Sequence, residues 1–378
     1  MKHPLFIILI SVLTGFSGIH AASFEFHGQA SGWLTMNLKQ IDESQAGLRY
    51  LPALSFDRFI NQNLQWTSTI TWNFNGTCQN RPDDTVLWNH RSKPYRLWMR
   101  LATPQFEARI GLQKINFGSA VMFRSLMWFD QIDPRDPLQI TDGVYALLLR
   151  YTFINNTNLW FWSLYGNDNP RGWDVLGSDP DEIEFGGRIQ VPLPCGEAAL
   201  SYHRRYADPA SLTGKLPVSM DTYLEQKMGF DFRWDWIIGL WLETSLNHQD
   251  IPIPDLAWQR LTTAGLDYTF NVGNGLYAIT EYLNWVTSDA PFSKTEGFDF
   301  SAVSFNYPLG LLDAVTGMVY YDWDSKEWYR FINFQRSLDQ WQFFLMGFWN
   351  PDQLQIYGLN ETTLFAGKGF QFMVVFNH

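Results

Sequence analysis

Arginine residues spaced along extended, otherwise apolar segments are the side chains of this chain best suited to binding chemistry. A guanidinium group offers five hydrogen-bond donors and holds carboxylates or phosphates in a bidentate manner. Alternate residues of a strand point to one face, so period-2 spacing gathers such charges on one side of a sheet. The predicted basic wall lies in the first half of the chain and comprises Arg49, Arg96, Arg100, Arg109, Arg150, Arg188 and Arg205, with the polar Gln113 beside it.

Carboxylates occupy the corresponding positions of the second half, and the predicted acidic wall comprises Asp231, Asp235, Glu243, Asp267, Glu281 and Asp299. Two interpretations stay open. If the chain closes into a ring, the two walls face each other and create a transverse field that orients dipolar solutes. Alternatively, the charges form structural salt bridges, for example between Arg109 and Glu107 or Glu184.

A nucleophile beside a base is the other chemistry that the spacing offers. Ser201 and His203 share one predicted strand face, and Ser245 and Asn247 share another. Nucleophilic catalysis needs a third, orienting group close to both, and a serine two residues from a histidine is common on polar strand faces. The histidines lack metal-ligand spacing. We therefore predict that the protein is not an enzyme and has no cofactor or metal site, with a hydrolase as an alternative.

The elements that must position these residues are strands. Residues 370–376 place aromatic or apolar side chains at every second position, and the same period recurs upstream. Turn residues divide the chain into 18 such segments, from 24–37 to 368–376, joined alternately by short and long connections. Backbone in lipid must be paired internally, so a membrane sheet has to close. We predict an all-β, antiparallel, up-and-down transmembrane β-barrel of 18 strands, with 16 as the alternative count and both termini periplasmic.

Composition and charge limit the classes further. Residues 1–21 are predicted to be a cleaved signal peptide, because a short basic start precedes an apolar run and small residues. Residues 22–378 then form a single barrel domain that begins too early for an N-terminal plug domain. The formal net charge of −11 argues against nucleic acid as a partner. Cys78 and Cys195 are predicted at opposite ends of the barrel, too far apart for a disulfide.

The connection at residues 118–141 is the most unusual loop. It carries a run of apolar side chains, including Met122, Phe123 and Trp128, ahead of Asp130, Asp133 and Asp136. A freely solvated loop would not expose so much apolar surface. We predict that it folds into the lumen, where the three aspartates face the arginines and constrict the pore. An outer cap or a contact with a neighbouring subunit is the alternative.

Residues 109–118, followed by Asp133-Pro134-Arg135-Asp136-Pro137-Leu138 and the segment 144–153, resemble the central part of the outer-membrane porin superfamily. The likeness is to members such as the alginate exporters and the phosphate-selective porins, and it covers roughly 45 residues. It implies a passive channel whose third loop narrows the lumen, with Arg109 and Gln113 facing inward beside that loop. Phosphate-selective members have lysine-rich pores, whereas few inward lysines are predicted here.

These patterns predict a porin in the bacterial outer membrane, for passive diffusion of small polar or charged solutes, a saccharide or an anion among them. The expected partners are membrane lipid and lipopolysaccharide, the small solute and the barrel-assembly machinery, with an oligomer possible. A ligand-binding or adhesion receptor with a closed lumen is a further alternative. Inward aromatic residues such as Trp33 and Trp98 suit stacking on sugar rings, and equally suit packing of the wall.

Overall fold

The computed structural model describes residues 22–38, 44–80, 85–212, 221–251, 253–352 and 363–378. The predicted signal peptide at residues 1–21 lies outside these ranges. Within the described ranges no helix is long and apolar enough to cross a membrane.

Eighteen antiparallel strands form one sheet in which each strand pairs with its neighbours in sequence. The strands are β1 (Ala22–Asn37), β2 (Ser44–Asn61), β3 (Leu64–Asn80), β4 (Val86–Ala102), β5 (Phe106–Gln113), β6 (Val144–Thr152), β7 (Asn158–Leu164), β8 (Glu184–Leu193), β9 (Gly196–Ala207), β10 (Tyr223–Asp235), β11 (Gly239–Gln249), β12 (Trp258–Phe270), β13 (Leu276–Ser288), β14 (Glu296–Pro308), β15 (Asp313–Asp322), β16 (Trp328–Leu338), β17 (Trp341–Trp349) and β18 (Lys368–Asn377). Within the described residues three short 3-10 turns lie in connections, at Pro209–Leu212, Pro254–Leu256 and Thr363–Phe365.

Pairing of β1 with β18 closes the ring, with Gln29 opposite Asn377 and Asn37 opposite Gly369. The prediction of 18 strands is therefore confirmed. Eight connections of two to five residues, 62–63 and 103–105 among them, lie at the end of the barrel that also holds both termini. We call this the short-turn end; the opposite, long-loop end carries the connections 114–143 and 165–183. Cys78 and Cys195 are free and lie near opposite ends.

The outer face of the barrel is apolar because the strands alternate in character. On β3, for example, Ile70, Trp72 and Phe74 are exposed on the outside, whereas Thr71 and Asn73 are buried on the inside. On β10, Met228 is exposed on the outside and Lys227 and Asp231 are buried on the inside. An apolar outer band of this kind suits contact with lipid, where unpaired backbone and charge are costly.

A β-bulge interrupts the alternation on β4. Thr71 pairs with Arg96, but the next residue of β3, Trp72, pairs with Pro94, so Tyr95 is an extra residue without a partner on β3. One extra residue reverses the facing of everything beyond it. Lys93 pairs with the inward-facing Asn73, and Arg91 pairs with Asn75. Both cations therefore point into the barrel.

The interior of the ring is occupied largely by the connection 114–143. Its residues Met122 and Phe123 form an apolar cluster with inward side chains of β13 to β17, such as Phe300 and Tyr320. Its residues Phe117 and Trp128 join a second cluster on β6 and β7. Because these strands lie on different sides of the ring, the loop spans the lumen and packs against both sides.

Candidate functional site

Two carboxylates of the predicted acidic wall hold the loop 114–143 in place. Glu281 on β13 accepts hydrogen bonds from the backbone N–H groups of Val121 at 2.6 Å, Met122 at 3.0 Å and Phe123 at 2.6 Å. Glu243 on β11 accepts one from Ala120 N–H at 2.7 Å. Backbone donors that leave water need such partners. These glutamates therefore anchor the loop and do not face an open lumen.

Side-chain contacts on the intervening strands complete this docking. On β12, Thr263 Oγ1 donates to the carbonyl of Phe123 at 2.6 Å, and the Ser125 hydroxyl lies 2.8 Å from Thr263 Oγ1. Gly118 makes the close approach possible, because its φ is +98° and an added Cβ would lie 2.2 Å from Glu243 Oε1. The loop is thus fixed to three consecutive strands.

The three loop aspartates face the arginines of the barrel wall only in part: Asp130 and Asp133 pair inside the loop, whereas Asp136 lies near Arg49 of the predicted basic wall. Asp130 pairs with Arg124 at 3.0 Å, and Asp133 pairs with Arg135 at 2.6 Å, both inside the loop. Asp136 accepts hydrogen bonds from the backbone N–H groups two and four residues later, at 3.0 and 3.1 Å. Burial raises the pKa values of Asp130 and Asp136 above their ordinary range. Local partners satisfy these carboxyls because each loop turn brings its own donors close.

A second connection, 165–183, also folds inward and covers the first. Trp173 Nε1 donates to the carbonyl of Arg124 at 2.9 Å. Asp174 forms ion pairs with Arg205 at 3.2 Å and with Lys227, and all three side chains are at most 5 % exposed. Arg205 was predicted to line the pore, but its buried guanidinium is bound within this network and does not face the lumen. The pair of Asp174 with Lys227 could not be predicted from the sequence, because their contact depends on the path of the loop.

Arg188 likewise does not face water. Its guanidinium binds Asp231 at 2.5 and 2.8 Å, and both side chains are at most 2 % exposed. A buried, bidentate pair of this kind is a structural bridge across the wall. The salt-bridge interpretation therefore describes Arg188 and Asp231, and it also describes Arg109, which pairs with Glu107 at 2.9 Å.

A stripe of cationic side chains remains on the inner face of β2 to β6, where the residues are only partly buried or exposed. The stripe runs along the strands from the long-loop end towards the short-turn end. It begins at Arg49 and Arg91, which are both in register with Asn75, and ends at Arg150, which is in register with Glu107. This is ten register steps along β4, or roughly 33 Å at the strand rise. We call it the basic stripe: Arg49, Arg91, Lys93, Arg96, Arg100, Arg109 and Arg150.

Three of these arginines surround one carboxylate near the short-turn end. Arg100 and Arg109 are direct cross-strand neighbours, and Glu107 lies 3.0 Å from Arg100 Nε and 2.9 Å from Arg109 Nη2. Arg150 is opposite Glu107 in the register. Trp98 stacks against Arg109 and Trp160 against Arg150, at 4.9 and 3.8 Å from ring centroid to guanidinium carbon. The cluster keeps an excess of two positive charges, fixed in position by rings.

The remaining aspartates of the predicted acidic wall lie on different faces of the barrel. Asp235 and Asp267 are inside the barrel, and both pair with Arg233 at 2.8 and 3.1 Å. Asp299 lies on the outer face instead, because it alternates with the inward Phe300 and accepts hydrogen bonds from Tyr282 and Asn284, both at 2.7 Å.

Gln113 is fully buried and donates to the carbonyls of Ala146 at 2.9 Å and Arg109 at 3.2 Å, so it packs the wall and does not line a pore. Arg91 and Lys93 were not predicted to face inward. Counting back from Arg96 in steps of two gives Pro94 and Ser92 as inward residues, because the count does not allow for the bulge at Tyr95.

Ser201 and His203, the candidate residues of the alternative hydrolase prediction, are both hydrogen-bonded to other side chains. His203 is 1 % exposed, its Nδ1 accepts from Trp162 Nε1 at 3.2 Å, and its Nε2 lies 3.1 Å from Glu184. Ser201 Oγ accepts from Arg188 at 3.1 Å. A general base needs a free nitrogen within reach of a nucleophile. No group of metal-binding side chains occurs among the residues that the structure describes.

No protein-family model matches the chain, and no curated protein sequence matches it significantly. Solved structures do match it. OccK5 (OpdH) of Pseudomonas aeruginosa has a TM-score of 0.53 at 8% identity, over 94% of this chain and 97% of that one. OmpT of Vibrio cholerae, in its trimer form, has a TM-score of 0.52 at 9% identity, over 95% and 100%. An anion-selective porin of Comamonas acidovorans has a TM-score of 0.50 at 12% identity, over 95% and 100%. The chain therefore has the closed-barrel fold of the outer-membrane porins.

Proposed function

We propose that this barrel is an outer-membrane channel for passive diffusion of small solutes and that its lumen favours anions. The observation that carries the proposal is the basic stripe, in which seven cations share the inner face of β2 to β6 with Asp57 and Glu107, and Lys93 among them pairs with the loop residue Asp142. A wall of one sign in a confined lumen concentrates counter-ions. The Comamonas porin, described as anion-selective, has the same fold.

The setting follows from the same fold. We infer that lipid surrounds the apolar outer face, that lipopolysaccharide meets the long-loop end, and that the short-turn end with both termini is periplasmic. The barrel-assembly machinery would insert such a chain. A trimer is a further expectation, since OmpT of Vibrio cholerae is described in a trimer form. Chemical cross-linking in detergent tests it.

The test is the reversal potential of single channels in a planar bilayer under a salt gradient. Wild-type protein is expected to show anion preference. Charge reversal of Arg100 and Arg109 to glutamate is expected to shift the reversal potential towards cations, since four unit charges change beside Glu107. Unchanged reversal potentials would refute the role of the stripe.

A matched control separates the lumen from the outer surface. Arg336 on β16 is 51 % exposed and pairs with Asp313 outside the lumen. Arg336→Gln should leave the reversal potential unchanged, whereas Arg100→Gln should move it. Heat-modifiable gel migration confirms that each variant is folded.

A further inference from the structure

A cavity of about 150 Å³ lies between the docked loop and the wall formed by β1, β2 and β16 to β18. One part of its lining is aromatic or thioether: Trp33, Phe331, Met346, Phe365 and Met373. The other part is polar: Arg49, Asp133, Arg135, Asp136 and Gln371. The site thus offers an apolar surface beside a set of fixed hydrogen-bonding groups, as small-molecule sites do.

The polar groups have unused hydrogen-bonding capacity of both kinds. Arg49 Nε and Arg135 Nη1 are buried atoms without a hydrogen-bond partner within the described residues. Arg135 is held firmly, with its side chain 3 % exposed and bound to Asp133. Each carboxylate oxygen of Asp136 accepts one backbone N–H, which leaves a lone pair on each. A ligand that fits must both accept and donate.

Charge balance selects among ligands. Two arginines and two aspartates line the cavity, so their formal charges cancel. A carboxylate ligand only accepts hydrogen bonds and would add an unbalanced charge beside Asp136, and an ammonium ligand only donates. A hydroxyl group does both. The carbon-bound hydrogens of a polyol ring would lie against Trp33 and Phe331.

Size sets the number of rings. The cavity has the liquid volume of about five water molecules, enough for one six-membered ring, some of whose hydroxyl groups would project beyond the cavity, and not for a chain of rings. We propose that this cavity binds a neutral, hydroxylated ring of monosaccharide size. The site deepens the proposed function, on which it rests for access through the lumen, and it differs from the basic stripe in chemistry.

Equilibrium dialysis of refolded, full-length protein against radiolabelled D-glucose tests the proposal. Saturable binding of one glucose per barrel is expected, with no displacement by an equal concentration of benzoate. Arg49→Met keeps an unbranched side chain beside Trp33 but removes the guanidinium, which lies 5.3 Å from the Trp33 ring, and with it the free donor; it should weaken binding about tenfold. Met373→Phe fills the cavity without changing charge and should abolish binding.

Arg100→Met is the matched control, because it removes a cation of the basic stripe outside the cavity. It should shift the reversal potential and leave glucose binding unchanged. Absence of saturable binding to folded barrels, displacement by benzoate, or wild-type binding by both cavity variants would overturn the sugar site. Those outcomes leave the anion preference intact, whereas loss of anion preference alone overturns only the proposed function.

Discussion

Replacing Glu281 by glutamine should weaken the docking of the loop 114–143 against the wall. The carboxylate accepts three backbone N–H groups of the loop, one on Oε1 and two on Oε2. A glutamine has one accepting oxygen, and its amide nitrogen is a donor. If this oxygen keeps the hydrogen bonds from Met122 and Phe123, the amide NH2 group faces the Val121 N–H. Two donors then oppose each other, and the Val121 N–H loses its acceptor.

The size of the effect follows from these contacts. Hydrogen bonds to a charged acceptor contribute about 1.5–3 kcal/mol each, and a buried donor left unsatisfied costs a similar amount. We therefore expect the docked state to lose about 2–3 kcal/mol in Glu281→Gln. At about 1.4 kcal/mol per factor of ten, the undocked population should rise roughly 30-fold to 140-fold.

A cysteine at position 125 reports this population. Ser125 is 1 % exposed and touches Thr263, and cysteine is close to it in shape, so maleimide labelling of Ser125→Cys requires the loop to open. Cys78 and Cys195 are replaced by serine beforehand. The labelling rate should rise with the undocked population in Glu281→Gln. Asp299→Asn, the same charge change on the outer face, should leave it unchanged. A rise below about threefold in folded barrels would refute the anchoring role.

Two further outcomes are expected in the loops. Asp174→Asn breaks two buried ion pairs, with Arg205 and Lys227, and should destabilise the loop 165–183 by about 3–5 kcal/mol, seen as faster proteolytic nicking there, whereas the exposed Asp181→Asn should not. Burial raises the pKa of Asp136, so the folded chain binds this proton more tightly than the unfolded chain, and stability falls as pH rises from the ordinary aspartate pKa to the raised one. Asp136→Asn should remove this decline, measured as the temperature at which gel migration changes between pH 4 and 8.

The strands could be predicted because polar and apolar side chains alternate within each strand. The pattern on β3 or β10 depends only on which side meets lipid, and lipid surrounds every strand. In two segments, 277–285 and 328–336, polar and apolar residues do not alternate clearly, so the sequence does not assign an inner and an outer face. The structure gives the reason, since inward side chains there, such as Leu283 and Phe331, pack against the loop and are apolar like the outward ones.

The site was only partly predictable. The inward position of Arg96, Arg100, Arg109 and Arg150 follows from local alternation, whereas Arg91 and Lys93 depend on a one-residue bulge that no period reveals. The partners of Arg205 and Glu243 depend on where two long loops go. That path is set by packing between segments more than one hundred residues apart, such as Ala120 and Glu243, which strand periodicity does not encode.

The anion preference proposed for an acidic chain rests on how its carboxylates are used. The formal net charge is −11, yet Glu243 and Glu281 are occupied by loop N–H groups, and Asp231 and Asp174 are paired with buried cations. A carboxylate paired with a buried cation adds no net charge to the lumen, and Glu243 and Glu281 are buried beneath the docked loop. The inner face of β2 to β6 carries seven cations against Asp57, Glu107 and the loop carboxylate Asp142, so this wall keeps a net positive charge, opposite in sign to the charge of the whole chain.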